Sequence, residues 1–266
     1  MPALPPARRA RVTALLLAGS LVAVWTGRVL RLHRSVARYA EHWSRPRGDA
    51  GGLLYAALGD SAAQGIGASR PDRGYVCLLA GRLAGTTGRP VEVVNLSRSG
   101  ARLQDVVDTQ LPALAALGRS PDVVTAAIGG NDIAAYDRTA FAALAERLAA
   151  GLLAGAYVAD APYFMHGHWE RSSLDAAELL TAAADRHGLR AVALHEAQRA
   201  RGWGAMLTDF AADGFHPNDR GHRVWADAFW SRLGPRAALL GGPAGTAPAQ
   251  SGEDRRRGGL RRAGAG

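Results

Sequence analysis

From residue 51 onward, short apolar segments alternate with longer segments whose apolar residues recur at helical spacing, and this alternation restricts the fold more than any other feature. Strands that alternate with helices are joined by right-handed crossovers, which place the strands parallel in one sheet with helices on both faces. The apolar segments are rich in Val, Leu and Ala without strict alternation, as expected for strands buried on both faces. The predicted strands are residues 53–58, 91–96, 122–128, 156–160 and 190–195.

The segments between these strands predict five helices, and the whole pattern indicates an α/β domain with three layers. We expect a five-stranded parallel sheet between two layers of helices over residues 51–236. A segment of this length is ample for a buried core. The predicted helices are residues 75–83, 103–117, 139–153, 176–187 and 220–233.

The first 50 residues contain an uncharged, mostly apolar run at 12–26 with Arg on both sides. A basic segment before such a run fits a signal peptide, but no small-x-small cleavage site follows, and a full span needs about 20 residues. We therefore expect residues 1–50 to form an uncleaved membrane anchor, or a signal region, plus a basic linker, with membrane association through residues 12–26. A buried soluble helix is the alternative. Four Arg behind the run recur at spacings typical of one helix face, as in a basic amphipathic helix at a membrane surface: Arg28, Arg31, Arg34 and Arg38.

The formal net charge of +9 is concentrated at the two ends of the chain. Residues 1–50 hold nine Arg against Glu41 and Asp49, and residues 241–266 hold five Arg against two acidic residues, whereas 51–240 is close to neutral. No nucleic-acid recognition motif accompanies this charge, so we expect no specific nucleic-acid partner. Residues 237–266 have few apolar side chains and are predicted to be a disordered basic tail. The anchor indicates a membrane-anchored or secreted, extracytoplasmic protein, but Arg on both sides of the run leaves its orientation open.

Polar and Gly-rich groups lie at the ends of predicted strands, at 59–61, 95–100 and 129–132, and another group precedes the last helix at 213–218. Ligands of open α/β sheets bind at the carboxyl ends of the strands, so we expect these groups to meet there. Acyl transfer needs a nucleophilic hydroxyl, a base, a group that orients the base, and donors for an oxyanion. Taken singly, a turn glycine or a helix cap would explain several of these residues equally well. The candidates for the four roles are Ser61, His216, Asp213, Gly100 and Asn131.

These four groups, in this order, resemble the SGNH (GDSL-type) serine hydrolase family, and more closely its bacterial lysophospholipase/thioesterase-like branch. The resemblance covers residues 59–230 and implies a flavodoxin-like, three-layer fold. It implies that Ser61 is the nucleophile, that His216 is its base, and that Asp213 orients the base. The Ser61 backbone N–H, the Gly100 N–H and the Asn131 side chain would form the oxyanion hole. The chain contains no G-x-S-x-G, the serine motif of the α/β-hydrolase elbow.

The segment 161–169, after the fourth predicted strand, is unusually aromatic for this chain. At the carboxyl edge of the sheet, Tyr163, Phe164 and Trp169 would wall an acyl pocket, although ordinary packing is the alternative. We therefore expect a serine esterase or lipase that hydrolyses lipid, lysolipid or other acyl esters. Deacetylation of an envelope glycan and acyl thioester hydrolysis are alternatives within the hydrolases. A non-catalytic, membrane-tethered binding protein of the same fold is the alternative from another class.

Several further polar residues are explained without a catalytic role. We expect Asp60 and Asp132 to accept hydrogen bonds from loop amides, and His222 to be a packing or capping residue. His166 and His168 form an H-x-H pair, but no carboxylate stands at metal-ligand spacing from them. We therefore predict no metal and no cofactor.

Overall fold

Five parallel strands form the central sheet of the protein. The computed structural model describes residues 6–49, 51–165 and 167–241. The strands follow the order β2-β1-β3-β4-β5, and every neighbouring pair is parallel. This arrangement confirms the predicted α/β fold, and each strand begins within one residue of its predicted start. The strands are β1 (Leu53–Gly59), β2 (Val91–Asn95), β3 (Val123–Ala127), β4 (Tyr157–Ala159) and β5 (Arg190–Val192).

Helices cover both faces of this sheet. Successive side chains of β1 point to opposite faces, so Ala56 and Leu58 enter one apolar core while Tyr55 and Ala57 enter the other. The first core is closed by the helical segment 103–115 and by the helices at 138–151 and 167–186, and the second by the helices at 75–87 and 219–237. The helices are α1 (Pro6–His42), α2 (Ser61–Gln64), α3 (Tyr75–Thr87), α4 (Leu103–Asp105), α5 (Leu111–Ala115), α6 (Arg138–Gly151), α7 (Gly167–Arg186), α8 (Leu194–Arg199), α9 (Ala205–Thr208) and α10 (Asp219–Ala237).

The structure departs from the sequence prediction mainly where strands and helices end. The fifth strand stops at Val192 instead of residue 195, because the Asp160 carboxylate accepts the backbone N–H of His195 (2.7 Å) and helix α8 begins there. Helix α7 begins nine residues before its predicted start at 176. Helix α10 and a 3₁₀ turn carry ordered structure to Leu240, beyond the boundary predicted at 236. The rest of the predicted tail, 242–266, lies outside the described residues.

Helix α1 is tied to the domain along its carboxyl-terminal half. The hydroxyl of Tyr39 donates to the Ala68 carbonyl (2.6 Å), and the indole N–H of Trp43 donates to the Gln64 carbonyl (2.9 Å). Both aromatic side chains are buried, so the end of the segment predicted as a linker packs on the domain. Within the described residues, no helix combines the length and the apolar character that crossing a membrane requires.

Candidate active site

Ser61 lies at the carboxyl end of β1, where the chain turns from strand into helix. Gly59, the last residue of the strand, has φ +146°, and a Cβ at this position would lie 2.3 Å from the Ala127 carbonyl oxygen, so only glycine fits. The Gln110 side chain accepts the Gly59 N–H and donates to the Gly59 carbonyl, and both distances are 2.8 Å. The Asp60 carboxylate caps α2 by accepting the Ala62 N–H. Ser61 is therefore held at the first position of α2 by its neighbours on both sides.

The structure brings the predicted nucleophile, base and orienting carboxylate together. The distance between Ser61 Oγ and His216 Nε2 is 2.9 Å, and His216 Nδ1 lies 2.6 Å from Asp213 Oδ2. The other Asp213 oxygen accepts the backbone N–H groups of Phe215 and His216. Burial raises the pKa of Asp213, but the hydrogen bond and charge of His216 outweigh burial, so this pKa lies below its ordinary value. The carboxylate is therefore ionised at neutral pH and able to hold a proton on Nδ1.

The loop that carries Asp213 and His216 is closed at its base by backbone pairing. Phe210 and Pro217 form an antiparallel bridge, and the Ala211 N–H donates to the His216 carbonyl (2.8 Å). The Asn218 side chain caps α10 and also donates to the Phe210 carbonyl. His216 is consequently positioned by the start of α10 as well as by its own carboxylate partner.

Gly100 and Asn131 lie on neighbouring loops at the same end of the sheet. Asn131 Nδ2 donates to the Ala101 carbonyl at a distance of 2.9 Å, and the same atom is 3.5 Å from Asp60 Oδ2. Gly100 has φ +78°, a conformation that glycine adopts without strain. Asn131 therefore connects the loop after β3 to the loops after β1 and β2. Neither Gly100 nor Asn131 belongs to the described lining of the cavity beside Ser61.

A cavity of about 410 Å³ opens beside Ser61 and His216. The three aromatic residues predicted for a pocket, Tyr163, Phe164 and Trp169, all line it. Further apolar lining side chains come from residues 206–215 and from α10, and the sequence did not connect them with substrate. Nothing in their spacing marked them, because they meet the aromatic segment only in the folded chain. These additional residues are Met206, Phe210, Phe215 and Trp225, and Met165 of the aromatic segment also lines the cavity.

Residues that the sequence analysis did not identify hold the aromatic wall in place. Glu170 accepts the Phe164 N–H through one oxygen, while the other lies 2.9 Å from His195 Nε2. The Tyr163 N–H donates to the Gln198 side chain (3.0 Å). Glu170 belongs to α7, and both His195 and Gln198 belong to α8. No sequence pattern indicates these contacts, since they depend on how the two helices flank the loop after β4.

A model of the GDSL-like lipase/acylhydrolase family matches residues 57–224, which is more than half of the chain. The chain belongs to this family. The match includes the whole Ser61, His216 and Asp213 arrangement and every strand except the first four residues of β1. A comparison with curated proteins found no match.

Solved structures with similar folds include several hydrolases. LAE5, an alpha/beta hydrolase enzyme from the metagenome of Lake Arreo, Spain, is 24% identical, with a TM-score of 0.56 over 70% of this chain and 97% of its own. Axe2, an acetylxylan esterase from Geobacillus stearothermophilus, is 21% identical, with a TM-score of 0.54 over 68% of this chain and 94% of its own. TesA is 25% identical, with a TM-score of 0.56 over 69% of this chain and 99% of its own. These neighbours share the fold, and the match to the GDSL-like lipase/acylhydrolase family identifies the protein as a GDSL hydrolase of ester bonds.

Three further polar residues of this GDSL hydrolase have the structural roles predicted for them. Asp60 caps α2, and Asp132 accepts the Leu103 N–H (3.1 Å). Burial raises the pKa of each of these carboxyls to about 6. His222 is fully buried, with Nδ1 3.3 Å from the Tyr75 nitrogen and Nε2 3.1 Å from the Ile66 carbonyl oxygen. Burial lowers its pKa to about 4, so His222 is a neutral packing residue.

The described residues of the hydrolase contain no group of three or more His, Cys, Asp or Glu side chains placed to hold a metal ion. His166 lies outside the described residues, so the structure describes only His168 of the predicted H-x-H pair. The ring of His168 stands edge-on to the ring of Trp169, with 5.5 Å between their centroids.

Proposed function

We propose that the hydrolase is a serine esterase that cleaves lipid-type acyl esters, including lysolipids, with Ser61 as nucleophile. One observation carries this proposal: the hydrogen-bonded series Ser61, His216 and Asp213 opens directly into a largely apolar cavity. An adjacent base activates a weak serine nucleophile, and an ionised carboxylate on the far side of the imidazole selects the required tautomer.

The arrangement supports a two-step acyl transfer. With its proton on Nδ1 held by Asp213, His216 accepts the Ser61 hydroxyl proton at Nε2 while Oγ forms a bond to the acyl carbon. The tetrahedral intermediate collapses as the ester C–O bond breaks, and the departing alcohol takes the proton from His216. Water then loses a proton to His216 as it attacks the acyl-enzyme. The bond between the acyl carbon and Ser61 Oγ breaks, Oγ takes the proton back from His216, and the acid leaves.

We assign the oxyanion hole to the backbone N–H groups of Ser61 and Gly100 and to the Asn131 side chain. One hydrogen of Asn131 Nδ2 is used by the Ala101 carbonyl at 2.9 Å, whereas the contact to Asp60 is long at 3.5 Å. The second hydrogen is therefore available to a developing negative charge. A preorganised donor of this kind contributes about 3–4 kcal/mol to transition-state stabilisation.

The cavity favours an acyl chain over a small acetyl group. Its volume of about 410 Å³ lies within the usual range of ligand pockets, roughly 300–1,000 Å³, and most of its wall is apolar or aromatic.

We also propose that residues 12–26 associate with a membrane and that the protein acts as a membrane-anchored or secreted, extracytoplasmic enzyme. Such a location would bring lipid esters to the cavity.

A chain-length series of p-nitrophenyl esters tests this proposal. Wild-type protein is expected to reach its highest kcat/KM with an acyl chain of medium or long length, and Ser61→Ala should be inactive on every ester. A maximum at acetyl would instead favour glycan deacetylation, and preference for the matched acyl thioester would favour a thioesterase. A fluorophosphonate probe should label wild type and leave Ser61→Ala unlabelled, whereas absence of labelling in wild type would favour a binding protein.

A further inference from the structure

We propose that the rim of the cavity is a docking surface for an anionic lipid bilayer, so that substrate enters the cavity from the membrane. This inference extends the proposed lipid-type substrate and names the surface through which it arrives. We define the docking rim as Trp169, Met206, Leu207 and Phe215, together with Val22, Val24 and Trp25 of helix α1.

The docking rim is apolar and faces solvent. Trp169, Met206 and Phe215 line the cavity and are nevertheless between 41% and 50% exposed. Leu207, which follows Met206 on α9, is 90% exposed. Large exposed apolar patches are uncommon on soluble monomers and mark sites of interaction.

Ring contacts connect the two sides of the docking rim. The centroid of the Phe164 ring lies 6.5 Å from that of Trp169 and 6.1 Å from that of Phe215. The aromatic segment after β4 and the loop that carries His216 therefore form one continuous apolar surface. All three of these aromatic residues line the cavity beside Ser61.

Helix α1 contacts the loop that carries Phe215. The indole N–H of Trp25 donates to the Ala212 carbonyl (2.8 Å), next to Asp213, while the ring is 56% exposed. Val22 and Val24, one turn or less before Trp25, are also exposed. The apolar run 12–26 thus ends beside the loop that carries Asp213 and His216. A lipid surface that accommodates this run would lie against the cavity rim.

The charge of α1 identifies the kind of lipid surface. Four Arg follow Trp25 at helical spacing, their side chains are exposed, and none of them forms an ion pair with a described carboxylate. Aromatic residues beside a stripe of Arg suit the interface of an anionic bilayer, where rings enter the headgroup region and guanidinium groups bind lipid phosphates. A protein partner would need acidic groups to match the same stripe, and the lipid substrate makes a bilayer the better fit. The four Arg residues of this stripe are Arg28, Arg31, Arg34 and Arg38.

A fluorophore attached at Leu207 tests the orientation directly. Cys77 is the only cysteine, so Cys77→Ala with Leu207→Cys gives one labelling site on the full chain. The matched control is Cys77→Ala with Leu239→Cys. Leu239 is 78% exposed and lies in the last 3₁₀ turn, whose Leu240 carbonyl binds Arg89 near the start of β2. The control site is therefore near the amino-terminal ends of the strands, whereas the cavity lies at their carboxyl ends.

Both labelled proteins are mixed with vesicles of phosphatidylglycerol and phosphatidylcholine, and with phosphatidylcholine alone. A polarity-sensitive label at 207 is expected to brighten about twofold and shift to the blue on the anionic vesicles, and the label at 239 should not change. The proposal is overturned if the protein sediments with anionic vesicles while the 207 label stays unchanged, or if both labels respond equally. A 207 label that is already shielded without vesicles would indicate a second copy of the chain and would also overturn it.

The same labels in a Ser61→Ala background separate docking from chemistry. Docking needs no turnover, so the response at 207 should persist there even though hydrolysis is lost. In unlabelled protein, Leu207→Glu should lower the ratio of activity on a vesicle-embedded ester to activity on a soluble ester about tenfold, because a carboxylate opposes insertion next to anionic lipid. Leu239→Glu should leave this ratio unchanged, and an unchanged ratio in Leu207→Glu would contradict the proposal.

Discussion

The Nε2 atom of His216 lies 2.9 Å from the Oγ of Ser61, although 155 residues separate them in the chain. Ser61 is positioned by the end of β1 and the start of α2, whereas His216 is positioned by the loop that leads into α10. Helix α10 packs on α3 in the layer that covers one face of the sheet. The proposed catalytic pair is therefore a product of packing between the first and last elements of the domain.

Replacing either member of this pair should remove activity without unfolding the protein. Ser61→Ala and His216→Ala are each expected to lower kcat by at least about 10³-fold, because no other described group is placed to supply the nucleophile or accept its proton. Steady-state hydrolysis of a p-nitrophenyl ester measures the loss, and thermal melting checks the fold. Wild-type turnover in properly folded Ser61→Ala would refute the assignment.

Asp213→Asn should retain the shape of the site and lose most of its activity. The amide would offer an N–H or a weaker acceptor to His216 Nδ1, and the imidazole would no longer be held in the tautomer that accepts the Ser61 proton. We expect kcat to fall by about 10³–10⁴-fold with little change in KM. A loss below about tenfold would mean that Asp213 only stabilises the loop.

Asn131→Ala should reduce kcat about 100-fold or more, with a modest change in KM. The expected loss arises in the transition state, where the Asn131 amide would meet the oxyanion. Because Asn131 also donates to the Ala101 carbonyl, thermal stability must be measured on the same preparation. If KM rises while kcat is retained, the side chain serves loop geometry and not the oxyanion.

Glu170→Gln should change acyl-chain preference more than it changes the chemical step. The Glu170 carboxylate holds the Phe164 N–H and contacts His195, so its loss would loosen one wall of the cavity. We expect the optimum of the chain-length series to broaden and unfolding to become easier by about 1–3 kcal/mol. Glu178→Gln, an exposed change on the same helix, is the control and should alter neither quantity. Identical chain-length profiles for wild type and Glu170→Gln would disprove the positioning role.

The buried His222 should make the folded state sensitive to mild acid. Its pKa of about 4 lies below the ordinary value of 6.5, so the neutral ring stabilises the fold fully above pH 6.5 and this stability is lost as the pH falls toward 4. The expected loss is about 1.4 kcal/mol per pH unit within this window. The gap in unfolding free energy between wild type and His222→Gln should narrow from pH 7 to pH 4. The buried carboxyls of Asp60 and Asp132, whose pKa values are about 6, are present in both proteins, so their contribution cancels in this difference. If the difference in unfolding free energy between wild type and His222→Gln does not change with pH, His222 is not a buried neutral residue.

Much of the architecture could be predicted from the sequence because it depends on local pattern. Apolar segments of strand length between helical segments determined five parallel strands, and Asp60 and Ser61 follow the first of them as expected. Helix and strand boundaries were less accurate where side chains from distant segments decide them. The contact between Asp160 and the His195 N–H, which ends β5 early, is one such case.

The sequence by itself determined which residue types were available for acyl transfer and that each would follow a strand or precede the last helix. Only the tertiary structure decided that His216 lies within hydrogen-bonding distance of Ser61, that Glu170 and His195 support the cavity wall, and that Trp25 touches the loop beside Asp213. The physical reason is separation along the chain. Strand and helix patterns arise between residues a few positions apart, whereas these contacts form only after the sheet has assembled and the helices have packed on both of its faces.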